Sequence, residues 1–315
     1  MELQEALDKF LRKKRIERIA EKSLDNYKYN LSTFRTFYSG KVDELSEDDI
    51  DDYILWLQEE TDLKLATVNN KIKDLRAFLN FCFKQRIVQN RFEIKLLRVN
   101  ESDIIPFTEH QLREIYDVCI SNAYGYFNYP GREMCSYRDY ALMRMLEETG
   151  MRIGEALRLN INDVDLKRKV IKIWITKNGK SRQTYITTAL HQEIKKYLEV
   201  RQDFLYDKKL GATSFFITRD GGRLCHKTIQ EKIAEYGALA GITGVRCSPH
   251  TFRHTFAKNY LMNGGDVFTL KDILGHSSLD MTYRYARLFG IEQQKQYTKV
   301  MERYARSKKP ITKYS

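Results

Sequence analysis

A histidine and an arginine that could bind an anion stand at the predicted start of a helix. The stretch Ser248–His254 reads SPHTFRH, in which Ser248 suits an N-cap and Pro249 suits the first helical position. Because His250 and Arg253 are three residues apart, both side chains lie on one helical face, next to the unpaired amide groups of the helix start. The pattern predicts an anion site, although His-x-x-Arg on its own is common.

A second arginine follows a predicted helix break. In TGMRIGEALRL, residues 149–159, Gly150 interrupts one helix, and Arg152 stands near the start of the next with Glu155 one turn later. The planar guanidinium of Arg152 could present its donors to a phosphate while the carboxylate holds it in place. An arginine and a glutamate at this spacing also occur often as a surface ion pair.

Two tyrosines lie in LGHSSLDMTYRYAR, residues 274–287. A phenol has a pKa near 10, so its attack on a phosphate at neutral pH needs a proton acceptor and nearby cations. Tyr283 and Tyr285 are about 200° apart around a helix, so both cannot point into one site.

The sequence gives little support for nucleotide hydrolysis or for metal-dependent catalysis. Gly179–Ser181 matches the end of a nucleotide phosphate-binding loop, but the leading glycine of that motif would fall at Trp174. The segment also looks like a hairpin turn and does not open a helix. No cluster of His, Asp and Glu has metal-ligand spacing, so the sequence predicts neither a metal nor a cofactor.

Apolar residues at steps of three and four predict four helices in the first ninety residues. These helices are Glu2–Ile19, Ser23–Phe37, Ser46–Glu60 and Leu65–Ile87. Ser23 and Ser46 are the expected N-caps, and the acidic run after Ser46 resembles a capping box.

The second part of the chain predicts mostly helices and one small sheet. Thr108 should cap a helix, and a Gly, Tyr, Asn and Pro-rich loop, 122–131, should separate that helix from a long one ending near Gly150. The runs VIKIWI and SRQTYI flank Asn178–Gly179, a strong hairpin signal. We therefore expect a mainly α fold with two domains, the second carrying a small antiparallel β-sheet.

Composition favours a polyanionic partner. The 315-residue chain is 42% hydrophobic, enough for real cores, and carries a net charge of +12. Residues 1–100 hold 19 basic and 18 acidic side chains and the remainder 35 and 24, so the surplus lies in the second part. No segment has the length and apolarity of a membrane span or signal peptide, and five scattered cysteines suggest free thiols. We expect a cytoplasmic location.

Four motifs taken together resemble the tyrosine recombinase (phage integrase) family. The segment TGMRIGEALRL is similar to the family's arginine box, and Lys177 in TKNGK is similar to its β-hairpin lysine. The segment HTFRHTFA is similar to the family's H-x-x-R box, and LGHSSLDMTYRYA is similar to its last box. The motifs occur in the family's order, and the resemblance covers nearly the whole chain. It is closest to compact Xer-like or transposon-encoded members.

The resemblance implies a role for each motif residue. The family's nucleophile lies nine residues after the last-box histidine, His276, which gives Tyr285 and leaves Tyr283 for packing or for a place near the DNA. The resemblance further implies that Arg152 and Arg253 bind the non-bridging oxygens of the phosphate, with Glu155 in support. It implies that His250 assists proton movement and that His276 donates a hydrogen bond. Lys177 is the implied acid that protonates the departing 5′ oxygen. Lys180 and Lys172 are alternative acids, because the register of a hairpin tip is easily misjudged.

The resemblance also implies the domain organisation. Its segments are a helical SAM-like core-binding domain at 1–95, a linker at 96–106, a catalytic domain at 107–290 and a tail for protomer exchange at 291–315. The alternative for the tail is a helix folded back in cis. The expected partner is a double-stranded DNA recombination site. The chain is expected to be a monomer in solution and a homotetramer on synapsed DNA, associated with the nucleoid and helped in some systems by DNA-bending or directionality proteins.

Two basic helices are candidates for contacting DNA. The candidates are Lys71, Lys73 and Arg76 on the fourth helix, and Arg223, His226, Lys227 and Gln230 in or before a helix over Lys227–Gly237. Ordinary solvated helix faces explain these residues nearly as well.

The predicted function is site-specific DNA recombination through a 3′-phosphotyrosyl intermediate and a Holliday junction. A type IB topoisomerase shares this chemistry and is one alternative. A DNA-binding protein that has lost catalysis is the other.

Overall fold

The computed structural model describes residues 1–98, 104–121, 131–174, 181–276, 278–288, 297–298 and 301–305. The chain divides into two compact units, Met1–Ser102 and Asp103–Ser315. Most of the described residues are helical, and the sheet among them has three short antiparallel strands. The predicted fold class is confirmed.

The first unit contains the four predicted helices. They are α1 (Leu3–Ile16), α2 (Glu21–Phe37), α3 (Glu47–Glu59) and α4 (Leu65–Lys84). Ser46 caps α3 in a capping box with Asp49, as expected. The prediction that Ser23 caps the second helix was wrong. That helix begins at Glu21, and the amide of Ser23 already donates to the carbonyl of Ala20 at 2.8 Å.

Aromatic side chains form much of the core of the first unit. The fully buried ring of Phe10 on α1 lies with its centre 5.2 Å from Tyr27, 5.7 Å from Phe78 and 5.5 Å from Phe81. The edge-on arrangement of these rings is the favoured geometry for aromatic pairs. Helices α1, α2 and α4 are thereby joined around one apolar centre.

The second unit contains the predicted hairpin within a mostly helical fold. Its elements are α5 (Glu109–Ser121), α6 (Arg132–Thr149), α7 (Ile153–Ala156), β1 (Val164–Asp165), β2 (Val170–Ile173), β3 (Arg182–Tyr185), α8 (Thr188–Asp207), α9 (His226–Leu239), α10 (Pro249–Met262), α11 (Val267–Leu274) and α12 (Asp280–Leu288). Strands β2 and β3 pair antiparallel, with Ile171 opposite Thr184. Strand β1 was not predicted, because two residues are too few to show alternation. The hairpin turn, 175–180, and most of the loop 122–131 lie outside the described residues.

Two predicted helix caps position the elements of the site. Thr108 and Gln111 exchange hydrogen bonds at the start of α5, at 3.2 and 3.0 Å. Ser248 accepts from the amide of Thr251 at 3.4 Å, and Pro249 is the first residue of α10. Both caps match the sequence prediction, so the direction in which α10 starts is set locally.

Helix α6 is the central element of the second unit. It packs against α5, α8 and α10, and its residues Leu142, Met145 and Leu146 have no exposed surface. On α10 the buried ring of Phe252 contacts Phe107, with 4.9 Å between ring centres. This packing brings the C-terminal end of α6 against the middle of α10.

A buried polar network joins α6 to α9. The guanidinium of Arg138 donates to Asp139 at 2.8 Å and to the carbonyl of Ile217 at 2.8 Å, and the hydroxyl of Tyr236 donates to Asp139 at 2.9 Å. Asp139 is 1% exposed. A buried charge needs such complete pairing, because its desolvation is otherwise uncompensated.

Asp139→Ala should therefore lower the free energy of unfolding by about 3–5 kcal/mol, the usual cost of leaving a buried arginine without its carboxylate. Urea unfolding followed by circular dichroism measures the change. Asp165→Ala is a matched control, because the Asp165–Arg168 pair is exposed and should contribute less than about 1 kcal/mol. Equal losses in the two variants would contradict this account of the network.

Candidate active site

The guanidinium of Arg253 is held between the ends of two helices. It is 5% exposed, and it donates to the carbonyl of Gly150 at 2.5 Å and to that of Leu274 at 2.7 Å. The last carbonyls of a helix are unpaired and form the negative end of its dipole. Burial and the neighbouring Arg152 lower the pKa of Arg253 to about 10, so the side chain stays charged at neutral pH.

Glycine is required at the end of α6. Gly150 has φ of +61°, and a Cβ there would lie 2.2 Å from Cδ1 of Phe256 and 2.9 Å from Cδ2 of Leu274. The left-handed conformation turns the chain so that the Gly150 carbonyl faces Arg253. A side chain at this position would displace α10 or α11, and with them the acceptors of the arginine.

A buried carboxylate joins two further arginines. Glu155 accepts from Arg152 at 3.3 Å and from Arg182 at 2.6 Å, and its side chain is 4% exposed. Glu155 also accepts from the backbone amide of Arg152 at 2.8 Å, which fixes the extended residue before α7. The supporting role expected for Glu155 thus has a geometric basis, and its charge offsets those of both guanidinium groups.

The turn after α11 brings these arginines close to one another. Arg152 donates to the carbonyl of Gly275 at 3.1 Å, and its side chain is 27% exposed. A Cβ on Gly275, which has φ of +63°, would lie 3.1 Å from Nε of Arg182 and 3.6 Å from Nη1 of Arg152. Arg152 therefore combines protein contacts with solvent access, as a group that meets a phosphate must.

Arg182 was not among the residues selected from the sequence. It lies on β3 with a side chain only 11% exposed, and burial lowers its pKa while Glu155 opposes the shift. The available signal was strand alternation, since Arg182 shares the inner face of β3 with the buried Thr184. A cation on the inner face of a strand needs a partner, and here that partner is Glu155.

The structure separates the two tyrosines as the helical spacing predicted. Tyr285 on α12 is 5% exposed and packs with Ala257, Leu261 and Leu270, whereas Tyr283 is 44% exposed. Burial raises the pKa of Tyr285, and the nearby cations Arg253, Arg284 and Arg152 oppose that shift. Tyr285 is therefore the tyrosine that lies among the site's charges.

His276 stacks on Tyr285. The two rings are nearly parallel, at 10°, with centres 6.2 Å apart, and Nδ1 of His276 is 2.9 Å from the hydroxyl of Thr282. Burial, Arg253 and Arg152 lower the pKa of His276 to about 4. The imidazole is thus neutral at pH 7, and the bond to Thr282 leaves its Nε2 for another partner.

A histidine that the sequence analysis did not select contacts Tyr285 directly. Nδ1 of His254 is 2.8 Å from the Tyr285 hydroxyl. His254 follows Arg253 in HTFRHTFA and lies four residues after His250. That spacing, which places both histidines on one face of α10, was the signal available.

The remaining predicted site residues differ in how far the structure describes them. His250 is exposed, and its pKa is lowered by partial desolvation and by Arg253 and His226. Lys177 and the alternative acid Lys180 lie outside the described residues. Lys172 is exposed on β2, with its ammonium 6.0 Å from the centre of the Trp174 ring.

The structure corrects one of the expected DNA contacts in the first unit. Lys71 is 2% exposed, donates to Thr33 at 2.7 Å and lies over the ring of Tyr29. Its position is explained by packing between α2 and α4, so it does not belong to an exposed basic face. Lys73 and Arg76 are exposed on α4, and their contact with DNA stays a prediction.

The expected contacts around α9 are mostly accessible. His226 and Lys227 are exposed in its first turn, and Gln230 is partly exposed. Arg223 is bound to its own unit, because its guanidinium donates to the carbonyl of Leu157 at 2.8 Å and to Asn160 at 2.7 Å. DNA contact by these four residues stays a prediction.

Comparison with known proteins identifies the family of the chain. Residues 105–290 match the Phage integrase family, and residues 6–88 match the Phage integrase N-terminal SAM-like domain. The chain belongs to the phage integrase family of tyrosine recombinases, enzymes that cleave and rejoin DNA.

Relatives match over most of their length. The chain is 30% identical to a tyrosine recombinase of Agathobacter rectalis over 282 residues, which is 86% of this chain and 88% of the relative. It is 29% identical to tyrosine recombinase XerC of Bacillus subtilis, over 84% of each chain.

Solved structures share the fold. The Tn1549 transposon integrase in complex with a circular intermediate DNA is 17% identical with a TM-score of 0.72, over 94% of this chain and 99% of that one. A lambda integrase dimer bound to a core site is 19% identical with a TM-score of 0.71, over 93% of this chain and 98% of that one.

Within the described residues, no helix has the length and apolarity needed to cross a membrane.

The low pKa of His276 predicts a pH-dependent stability. The unfolded imidazole gains its proton near pH 6.5 and the folded one near pH 4, so stability present above pH 6.5 is lost as the pH falls toward 4. The melting temperature of His276→Asn should therefore fall less between pH 7 and pH 4.5 than the melting temperature of the wild type does. Melting followed by circular dichroism measures this difference.

His110→Asn is the control for this experiment, because the side chain of His110 is 82% exposed. It should follow the wild-type pH dependence. The explanation fails if His276→Asn and the wild type lose equal melting temperature over the interval.

Proposed function

We propose that the chain is a site-specific DNA recombinase in which Tyr285 attacks a phosphodiester to form a 3′-phosphotyrosyl intermediate. The observation that carries the proposal is the position of the Tyr285 phenol. It is buried where α10, α11 and α12 pack together. The positive charges of Arg253 and Arg152 are close enough to oppose the rise in its pKa that burial causes. Those two guanidiniums can stabilise the charge that develops on phosphorus as the phenol attacks.

The other residues take roles around the same phosphate. Arg152 and Arg253 bind the non-bridging oxygens, and Glu155 keeps Arg152 directed toward them. With Nδ1 accepting from the Thr282 hydroxyl, Nε2 of His276 carries the proton and donates a further hydrogen bond. His250 assists proton movement, and Lys177 protonates the 5′ oxygen as it departs.

The intermediate explains how rejoining is driven. A 3′-phosphotyrosine is itself a phosphodiester, so the energy of the broken strand is kept in the bond to the protein. Attack by a 5′ hydroxyl restores the DNA strand and frees Tyr285. The proposed cycle uses no ATP and no metal ion, and it exchanges one pair of strands at a time through a Holliday junction.

Double-stranded DNA is the proposed partner. The related structures of Tn1549 transposon integrase and lambda integrase contain DNA, and the basic surplus of this chain lies in its second part. The proposed contacts are Lys73 and Arg76 on α4, and Arg223, His226, Lys227 and Gln230 in or before α9. Such contacts predict binding that weakens with salt.

The proposed assembly is a homotetramer on two synapsed sites, formed from monomers. The tail after Tyr285 is helical at residues 297–298 and 301–305, where Tyr297 and Tyr304 are exposed. Exposed aromatic side chains on these helical residues are suited to docking on a neighbouring protomer. Accessory DNA-bending or directionality proteins and a nucleoid location complete the proposal.

Tyr285→Phe should abolish covalent attachment to DNA and leave binding intact, whereas Tyr283→Phe should retain attachment. Each protein is incubated in EDTA with the DNA that flanks its own gene, and protein-linked DNA is measured after SDS denaturation. The two variants are matched, since each removes one hydroxyl from α12. The reverse pattern would refute the assignment of Tyr285, and activity on a single unpaired site with relaxation of supercoils would favour the topoisomerase alternative.

Lys177→Ala should slow cleavage about 10²–10⁴-fold, the usual contribution of a general acid. A substrate with a 5′-thio leaving group should restore the rate, because a thiolate departs with little need for a proton. Lys172→Ala serves as the control and should cleave both substrates like the wild type. If the 5′-thio group rescues Lys172→Ala and has no effect on Lys177→Ala, then Lys172 is the acid.

A further inference from the structure

We infer that His254 is a catalytic residue that accepts the proton of Tyr285 as the phenol attacks phosphorus. The inference rests on the proposed function and adds a residue that the family motifs did not assign. Its basis is the distance of 2.8 Å between Nδ1 of His254 and the Tyr285 hydroxyl. A general base must lie within about 2.6–3.2 Å of the proton that it removes, and His254 meets this requirement.

The surrounding structure fixes this pair. His254 lies in the middle of α10, two turns after the Ser248 cap, and Tyr285 lies in the middle of α12. Their ring centres are 5.6 Å apart, and Tyr285 also packs on Ala257 and Leu261 of α10. The contact therefore joins two packed helices and does not depend on a surface side chain.

The charge state of His254 suits an acceptor. Burial, His250 and the cations Arg253 and Arg284 lower its pKa to about 4, so the ring is neutral at pH 7. Burial raises the pKa of Tyr285, so the phenol keeps its proton. With Nε2 protonated, Nδ1 of the neutral imidazole accepts a hydrogen bond from the phenol.

Substrate binding would strengthen this base. A phosphodiester among the arginines brings a negative charge that opposes the cations lowering the imidazole pKa. The groups that act on His254 are His250 and Arg253 of α10, Arg284 and Tyr285 of α12, and His276 before α12. The imidazole thus becomes a better acceptor when a phosphate is present, which limits deprotonation of the phenol to the bound complex.

Each proton that moves during cleavage moves back during rejoining. The Tyr285 oxygen forms a bond to phosphorus, and its proton moves to Nδ1 of His254. The bond from phosphorus to the 5′ oxygen breaks, and that oxygen takes a proton from the proposed acid, Lys177. On rejoining, the 5′ hydroxyl attacks phosphorus and gives its proton to the lysine, while Nδ1 of His254 returns its proton to the departing phenolate.

Geometry separates His254 from His250 in this role. His250 lies one turn earlier on the same face of α10 and is exposed, and partial desolvation and Arg253 lower its pKa as well. Nδ1 of His254 lies 2.8 Å from the Tyr285 hydroxyl, which is within hydrogen-bond range. His250 remains placed to contact the phosphate or to exchange protons with solvent.

The test compares His254→Ala with His254→Asn in single-turnover cleavage of a nicked duplex. The duplex carries the cleavage site located by the wild-type adduct. Asparagine places an amide oxygen near the position of Nδ1, so it can accept the same hydrogen bond but cannot take a proton. Both variants should cleave about 10²–10⁴-fold more slowly than the wild type at pH 7, and added imidazole should accelerate His254→Ala.

The pH dependence provides the second measurement. The wild-type rate should rise with pH and level off above the pKa of the bound imidazole, whereas both variants should lose this inflection. His110→Asn, an exposed substitution on α5, should behave like the wild type. DNA binding and thermal melting of each variant show whether it is folded.

Two results would overturn the inference. If His254→Asn cleaves within about threefold of the wild type while His254→Ala is slow, His254 only positions the phenol. If both His254 variants keep the wild-type inflection and His250→Asn loses it, His250 is the base. Failure of the wild type to form any adduct would instead refute the proposed function.

Discussion

The burial of the Arg253 guanidinium between two helix ends is the constraint on which the site depends. A cation that is 5% exposed needs fixed acceptors, and α6 and α11 supply them as the carbonyls of Gly150 and Leu274. This requirement sets where both helices end and how closely they approach α10. The left-handed turn at Gly150 follows from it, since a Cβ there would overlap Phe256.

The same geometry places the other charges. The last residue of α11, Leu274, provides an acceptor for Arg253, and the next residue, Gly275, provides its carbonyl for Arg152. The negative charge of Glu155 offsets part of the positive charge of Arg152 and Arg182. Arg253 lies in the same cluster, so three guanidinium groups share one carboxylate. Burial and the remaining positive field lower the pKa of His254 and of His276 to about 4, and the field favours an anion at this position. A phosphodiester supplies that anion.

How much the sequence predicts depends on the range of the interactions involved. The Ser248 cap, the hairpin and the separation of Tyr285 from Tyr283 follow from local spacing, and the structure agrees with each. The family motifs selected Arg152, Arg253 and His276 in the same way, and the structure brings them together with Tyr285.

Residues whose positions depend on tertiary contacts were harder to predict. Lys71 was expected on an exposed face, but packing of α4 against α2 buries it beside Thr33 and Tyr29. Arg182 was missed because its partner, Glu155, is 27 residues away in the sequence. His254 was missed because its contact with Tyr285 spans 31 residues.

The most direct test of the account identifies the amino acid that carries the DNA. Arg284 lies between the two tyrosines, so trypsin places Tyr283 in peptide 272–284 and Tyr285 in peptide 285–287. The covalent complex would be digested with nuclease and trypsin, and mass spectrometry would locate the remaining nucleotide. The account predicts a nucleotide on Tyr285. A nucleotide on peptide 272–284, or on a serine elsewhere, would contradict it.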